Sequence, residues 1–133
     1  MTVAEARIRV RYAETDQMGV VYYGNYFTWF EIGRVEWCRA AGFDYRDMER
    51  QDGAMLVVAE ATCRSRAPAR FDDELAIRTF VLRARSRMVS FGYEVRNAAS
   101  GELLATGETS HLVTGTDMKP RTLPEKYRSM FGV

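Results

Sequence analysis

Residues Gly24 to Gly42, GNYFTWFEIGRVEWCRAAG, decide how this chain folds. Apolar and charged positions recur between the two glycines at helical spacing, which predicts a helix over Gly24 to Ala41 with Gly42 as its C-terminal stop. The charged Glu31, Arg34, Glu36 and Arg39 scatter around the helical wheel, while Tyr26, Phe27, Trp29, Phe30, Ile32, Val35, Trp37 and Cys38 fill most of the remaining circumference. A helix apolar on nearly every side is enclosed by other structure rather than laid on a surface. Gly33 in its middle lowers helix propensity by about 1 kcal/mol relative to alanine, which points to a close backbone approach there.

Upstream, Ile8, Val10 and Tyr12 alternate with Arg7, Arg9 and Arg11, the period of a strand with one buried face, and Ala13 to Tyr22 break that period as a loop around Gly19. Downstream, DYRDMERQDG reads as a short amphipathic helix with Asp44 as N-cap and Gly53 as its end. AMLVVAEATCRSRA carries a buried run and stops at Pro68; DELAIRTFVLRAR and RMVSFGYEVRN alternate, the second placing Val89, Phe91, Tyr93 and Val95 on one face. AASG is a turn, ELLATGETSHLVTG a last long strand, and Pro124 is placed to start a terminal helical turn.

Strands joined by short connections pair antiparallel, and a sheet with one apolar face needs a cover. Only the long helix is large enough. The expectation is an α+β fold in which a curved antiparallel sheet of about five strands wraps one central helix, in a single domain spanning residues 1–133. Such a sheet has edges, which favour edge-to-edge association into a homo-oligomer.

The composition, 47% hydrophobic and 28% charged, excludes a disordered or fibrous chain. With Lys+Arg 19 against Asp+Glu 18 the net charge is +1, so no global field draws in nucleic acid, and no apolar run reaches membrane-spanning length. Cys38 and Cys63 lack metal-ligand spacing and the N-terminus lacks a secretory h-region, which together fit a reduced, cytoplasmic setting without a metal site. No G-x-S-x-G, H-E-x-x-H or P-loop occurs. His111, the one histidine, sits in an alternating strand and reads as a half-buried structural residue rather than as the base of a Cys–His pair.

Immediately before the helix, ETDQMGVVYYGNYFTWFE sets the acids Glu14 and Asp16 beside a long aromatic run. An acid there either caps the helix or meets a substrate, and Asp16 lies seven positions before Tyr23, far for a direct cap. Glu14 reads as a solvated or paired neighbour.

The segment RYAETDQMGVVYYGNYFTWFEIGR resembles the signature of hotdog-fold acyl-CoA thioesterases of the 4-hydroxybenzoyl-CoA thioesterase type, a group that includes the Tol-Pal-associated acyl-CoA thioesterases. RFDDELAIRTFVLRARSRMVSF and GELLATGETSHLVTGTDMKPRTLP look like that family's later strands, so the resemblance covers nearly the whole chain. It implies hydrolysis of an acyl-CoA to free acid and CoA, without a metal or redox cofactor, in a homodimer or homotetramer whose sites lie between subunits. By the same resemblance the catalytic carboxylate falls on Asp16, as nucleophile or general base, and the backbone N–H of Tyr23 points at the thioester oxygen. Many relatives read YHANY or YHASY where this chain reads YYGNY, a change that a main-chain donor tolerates.

Glu31 on the helix is the rival acid, ranked as a substrate-pocket residue or as a salt-bridge partner of an arginine such as Arg34. Asn25 and Tyr26 are expected to orient the loop by hydrogen bonds. Arg87, and after it Arg85, lie in the segment that the resemblance places near the CoA phosphates, which basic side chains would hold. The other class that this sequence admits is a non-catalytic module binding acyl-CoA or an acyl-carrier protein.

Overall fold

The alternation of the first strand begins earlier than its large side chains reveal. In the computed structural model, which describes residues Met1 to Val133, strand β1 runs Val3–Arg9. Ala4 and Ala6 are buried in phase with Ile8 and Val10, but methyl groups carry little periodic signal. The strand expected over Arg7 to Tyr12 therefore moves upstream. Tyr12 instead opens a 3-10 turn, Tyr12–Glu14, with its exposed ring edge-on to Phe71 at 5.5 Å.

Helix α1 spans Asn25–Ala41 and stops at Gly42, whose φ of 109° lies in the left-handed region. Its burial is one-sided: Tyr26, Trp29, Phe30, Gly33, Trp37 and Cys38 are buried, whereas Glu31, Ile32, Arg39 and Ala40 are exposed. The enclosure expected from its apolar circumference is thus incomplete within one chain. Helix α2, Tyr45–Asp52, follows Asp44, whose main-chain carbonyl accepts from Asp47 and Met48 while its side chain makes no cap bond, and it ends at Gly53.

Strands β2 (Met55–Ser65), β3 (Glu74–Arg85), β4 (Met88–Asn97) and β5 (Leu103–Thr114) complete one antiparallel sheet in the order β1-β3-β4-β5-β2. A terminal helix α3, Glu125–Phe131, starts directly after Pro124. Val89, Phe91, Tyr93 and Val95 form one fully buried row on the inner face. Across it lies α1, packed chiefly on β1 and β3. A Cβ at Gly33 would stand 2.3 Å from Thr79 Oγ1 and 3.2 Å from Ile77, so the helix backbone rests directly on β3. Phe30 stacks on Tyr93 with centroids 4.3 Å apart, and Trp37 meets Phe91 edge-on at 5.4 Å. Aromatic pairs of this kind contribute about 0.5–1.5 kcal/mol beyond the area they bury.

The two sheet edges differ. On β1, Arg7 and Arg9 pair with Glu74, and Arg7 also with Glu5. On β2 the run expected to be buried is not: Val58, Ala59 and Ala61 are exposed, because β5 flanks only one side of that strand and α1 leans the other way. No helix is long and apolar enough to cross a membrane.

Candidate active site

The loop between β1 and α1 folds back on itself. Tyr22 N donates to Glu14 O, Thr15 bridges Val21, and Asp16 N donates to Val20 O, each of these hydrogen bonds being 2.9 Å. Gly19, at φ 77°, closes the tip by donating to Asp16 O. Asp16 is half-buried, and its Oδ1 accepts from Met18 N at 2.9 Å. That bond turns the loop rather than capping α1. No other donor of the chain reaches the Asp16 carboxylate, so one of its oxygens stays free.

Of the two readings of Glu14, solvated or paired, the second holds: its carboxylate lies 3.5 Å from Arg11 Nε, and it clamps this loop. Its Oε1 accepts from Arg11 N at 2.7 Å and its Oε2 from Trp29 Nε1 at 3.3 Å, while its carbonyl accepts from Asn25 Nδ2 at 2.8 Å. A buried carboxylate needs such partners. One side chain thereby fastens the loop to the first turns of α1, with Asn25 as the second tie.

The start of α1 has no side-chain cap. Asn25, Tyr26 and Phe27 N–H donate to the carbonyls of Tyr22, Tyr23 and Gly24, but the N–H groups of Tyr23 and Gly24 find no acceptor in the chain. Unpaired amides at the positive end of a helix attract negative charge. The Tyr23 side chain points to solvent, its ring 4.7 Å from that of Tyr22. Tyr26 departs from expectation: its side chain forms no hydrogen bond with the loop, its ring meets Trp29 edge-on at 5.1 Å, and burial pushes its phenol up to about 12.

Glu31 forms no ion pair with Arg34. Both line a cleft of about 330 Å³ with Val35, Cys38, Tyr45, Glu49, Leu56 and Phe91. Beneath it runs a chain of polar groups that sequence reading missed. Arg34 Nη1 lies 3.4 Å from Tyr93 Oη, which lies 2.5 Å from Thr109 Oγ1; His111 Nε2 is 2.8 Å from the same Oγ1, and His111 Nδ1 is 3.2 Å from Leu56 O. Arginine only donates and a carbonyl only accepts, so the direction of every bond is set from both ends. His111 accordingly carries its proton on Nδ1. It is fully rather than half buried, and burial, with Arg34 nearby, pulls its pKa down to about 4.

Arg85 and Arg87 are exposed on the β3–β4 hairpin, at the far end of the sheet from Asp16. The Asp16 loop is tied to the start of β3 through Val21 N on Ala69 O and Val10 N on Asp73 O. Twelve residues of β3 separate that end from Arg85, roughly 35 Å of strand. One chain therefore brings Glu14, Asp16, Tyr23 and Asn25 together, with Glu31 farther along α1, and leaves the two arginines apart.

The same wrapping of a sheet around one helix recurs in solved structures. A DHNA-CoA thioesterase from Staphylococcus aureus aligns with a TM-score of 0.93 at 32% identity, covering 99% of this chain and 90% of that one. A 4-hydroxybenzoyl-CoA thioesterase, at 17% identity, aligns with a TM-score of 0.88 over 98% of this chain and 99% of its own, a likeness of fold alone. The fold is the hotdog fold. Residues 10–131 match the model of the thioesterase-like superfamily, and the acyl-CoA thioester hydrolase YbgC of Escherichia coli O6:H1 is 35% identical over 93% of this chain and 92% of its own. The chain belongs to the thioesterase-like superfamily, and it is a thioesterase.

Proposed function

We propose that the protein hydrolyses an acyl-CoA thioester to a free acid and CoA, with Asp16 as nucleophile or general base and the Tyr23 backbone N–H as oxyanion donor. One observation carries this reading: a carboxylate with a free oxygen sits on the loop that pairs with the segment leading into two unpaired amides. The amides stabilise negative charge as it develops on the carbonyl oxygen. In one route Asp16 attacks the carbonyl carbon, the C–S bond breaks, CoA leaves as thiolate, and water then cleaves the mixed anhydride. In the other Asp16 takes a proton from the attacking water. Neither route uses a metal ion or a redox cofactor, and CoA enters as part of the substrate. Asn25 holds the loop, Glu31 borders the acyl path, and Arg87 with Arg85 takes the CoA phosphates.

A second copy of the chain makes that last role geometrically consistent. Antiparallel pairing of two β2 edges about a twofold axis inverts the partner's sheet, which brings its β3–β4 hairpin to the end that carries Asp16 here. The pairing also covers the apolar side chains that β2 exposes and closes its open ladder. The proposed unit is a homodimer, or two dimers as a homotetramer, in which residues 1–133 of each copy act as one catalytic domain.

Thiol release from a panel of acyl-CoAs tests the reaction. Asp16→Asn is expected to lose about 10³-fold in turnover while keeping its melting temperature. Undiminished turnover in that variant refutes the role of Asp16, and ligand binding without turnover in the wild type would make the protein an acyl-CoA binding module instead. After single turnovers in ¹⁸O-water, label in the Asp16 carboxylate marks the anhydride route with water attacking the aspartyl carbon.

A further inference from the structure

We infer that Glu14 is a positioning residue for the proposed reaction: its buried carboxylate sets where Asp16 stands relative to the Tyr23 amide. This rests on the hydrolase reading above. Asp16 follows Glu14 by two positions on the outgoing arm of the loop, and Tyr23 follows Tyr22 at the end of the returning arm. The bonds from Asp16 N to Val20 O and from Tyr22 N to Glu14 O join the two arms to each other. They do not fasten the acid-bearing arm to the body of α1. Two side chains of the helix do that, Trp29 through its indole N–H and Asn25 through its amide, and both end on Glu14.

The chemistry of the tie suits a carboxylate and no other side chain of that size. Every polar atom bonded to it is a donor: the Arg11 main-chain N–H at 2.7 Å on one oxygen and the Trp29 indole at 3.3 Å on the other, with Arg11 Nε 3.5 Å from the first. An ionised carboxylate accepts on both oxygens, whereas an amide of the same shape turns its own N–H groups towards one of these donors. The side chain keeps only 11% of its surface exposed, and a charge buried that far costs stability unless its partners are well placed. Main-chain bonds alone would close the loop. The acid adds a fixed distance between the loop and Trp29, which lies four residues after Asn25, about one helical turn.

Asp16 has no such anchor of its own. All its hydrogen bonds, to Met18, Gly19 and Val20, lie within the loop, and Met18 at the tip is exposed. Its placement against α1 is therefore inherited from Glu14. Misplacing a reacting group by about 1 Å costs on the order of 10²-fold in rate.

Glu14→Gln keeps the shape of the tie and spoils one of its bonds. It is expected to lower kcat about 10- to 100-fold with KM within about threefold, because the group that shifts is the one that reacts. Trp29→Phe cuts the same tie from the helix side and should lower kcat comparably, the double variant falling no more than about twofold below the lower single one. In an Asp16→Asn background, Glu14→Gln should leave residual turnover within about twofold, which a general loss of folded protein would not do. Hydrogen exchange gives a readout free of turnover: the Asp16 and Tyr22 amides should exchange about tenfold faster or more in Glu14→Gln, with the β4 amides unchanged. Wild-type kcat in Glu14→Gln, or an equal loss in the Asp16→Asn background, overturns the proposal while leaving the hydrolase reading intact. If no thioester is cleaved, or Asp16→Asn keeps full turnover, the hydrolase reading fails, and the exchange rates still decide this one: unchanged Asp16 and Tyr22 amides would show that Glu14 does not hold the loop.

Discussion

The two ends of α1 are built on opposite plans. At the C-terminal end Gly42 N–H donates to Cys38 and Arg39 carbonyls, Phe43 N–H returns to Cys38 O, and Trp37 is buried with its indole N–H on Thr2 O at 3.0 Å. The buried indole and the carbonyls of Cys38 and Arg39 at that end are all paired. At the N-terminal end no side chain caps the helix, two amides lack acceptors, and the Asp16 carboxylate bonds to its own loop. Unpaired donors at a helix start cost stability, and a fold retains them where a ligand supplies the missing acceptor. One end of the rod stabilises the protein; the other leaves two amides unpaired, which the proposed reaction would use to hold the developing oxyanion.

That contrast breaks if changes at the packed end leave stability untouched. Trp37→Ala removes a fully buried ring that contacts Phe91 and Phe131, and it should cost about 3–5 kcal/mol of unfolding free energy, read as a lower urea midpoint. Asp16→Asn should leave that midpoint in place. A Trp37→Ala protein as stable as the wild type would show that the aromatic cluster does not carry the C-terminal half of α1.

The polar chain beneath the same half of α1 gives a pH test. The folded pKa of His111, about 4, lies below its ordinary value of 6.5, so the unfolded chain binds the extra proton between these limits. Stability from a neutral His111 is fully present above pH ~6.5 and is lost as pH falls towards 4, by on the order of 3 kcal/mol. Urea midpoints should therefore drop across that window in the wild type, and His111→Gln should flatten this part of the drop. An equal drop in the variant would place the acid sensitivity elsewhere.

How much of this was legible depended on the range of the interaction. The helix stood out because its determinants are local: apolar spacing from Tyr26 to Cys38 and glycines at both ends. The row Val89, Phe91, Tyr93 and Val95 was readable because its period matches a half-buried strand. Gly33 pointed to a close approach without identifying Thr79 as what it approaches. Glu14 was left between solvated and paired because its partner Trp29 lies 15 positions on. The chain from Arg34 to Leu56 joins a helix and three strands, and no spacing along the sequence encodes such a meeting. Burial of β2 was overestimated because hydrophobicity shows that a strand wants a neighbour, not that the neighbour belongs to the same chain.

The smallest expected effect sharpens the comparison most. If the N-terminal end acts through its main chain, the phenol of Tyr23 is dispensable: the ring is exposed, and it is the unpaired backbone N–H that would meet the charge developed in the proposed reaction. Tyr23→Ala keeps that N–H and should change kcat by less than about threefold, a barrier difference under ~0.7 kcal/mol. KM can shift somewhat more, since the exposed ring packs on Tyr22 beside the start of α1. A hundredfold loss in kcat, with the melting temperature unchanged, would instead give the side chain the chemical role assigned here to the amide. The two ends of α1 would then differ in the side chains they present, not in whether their main-chain groups are paired.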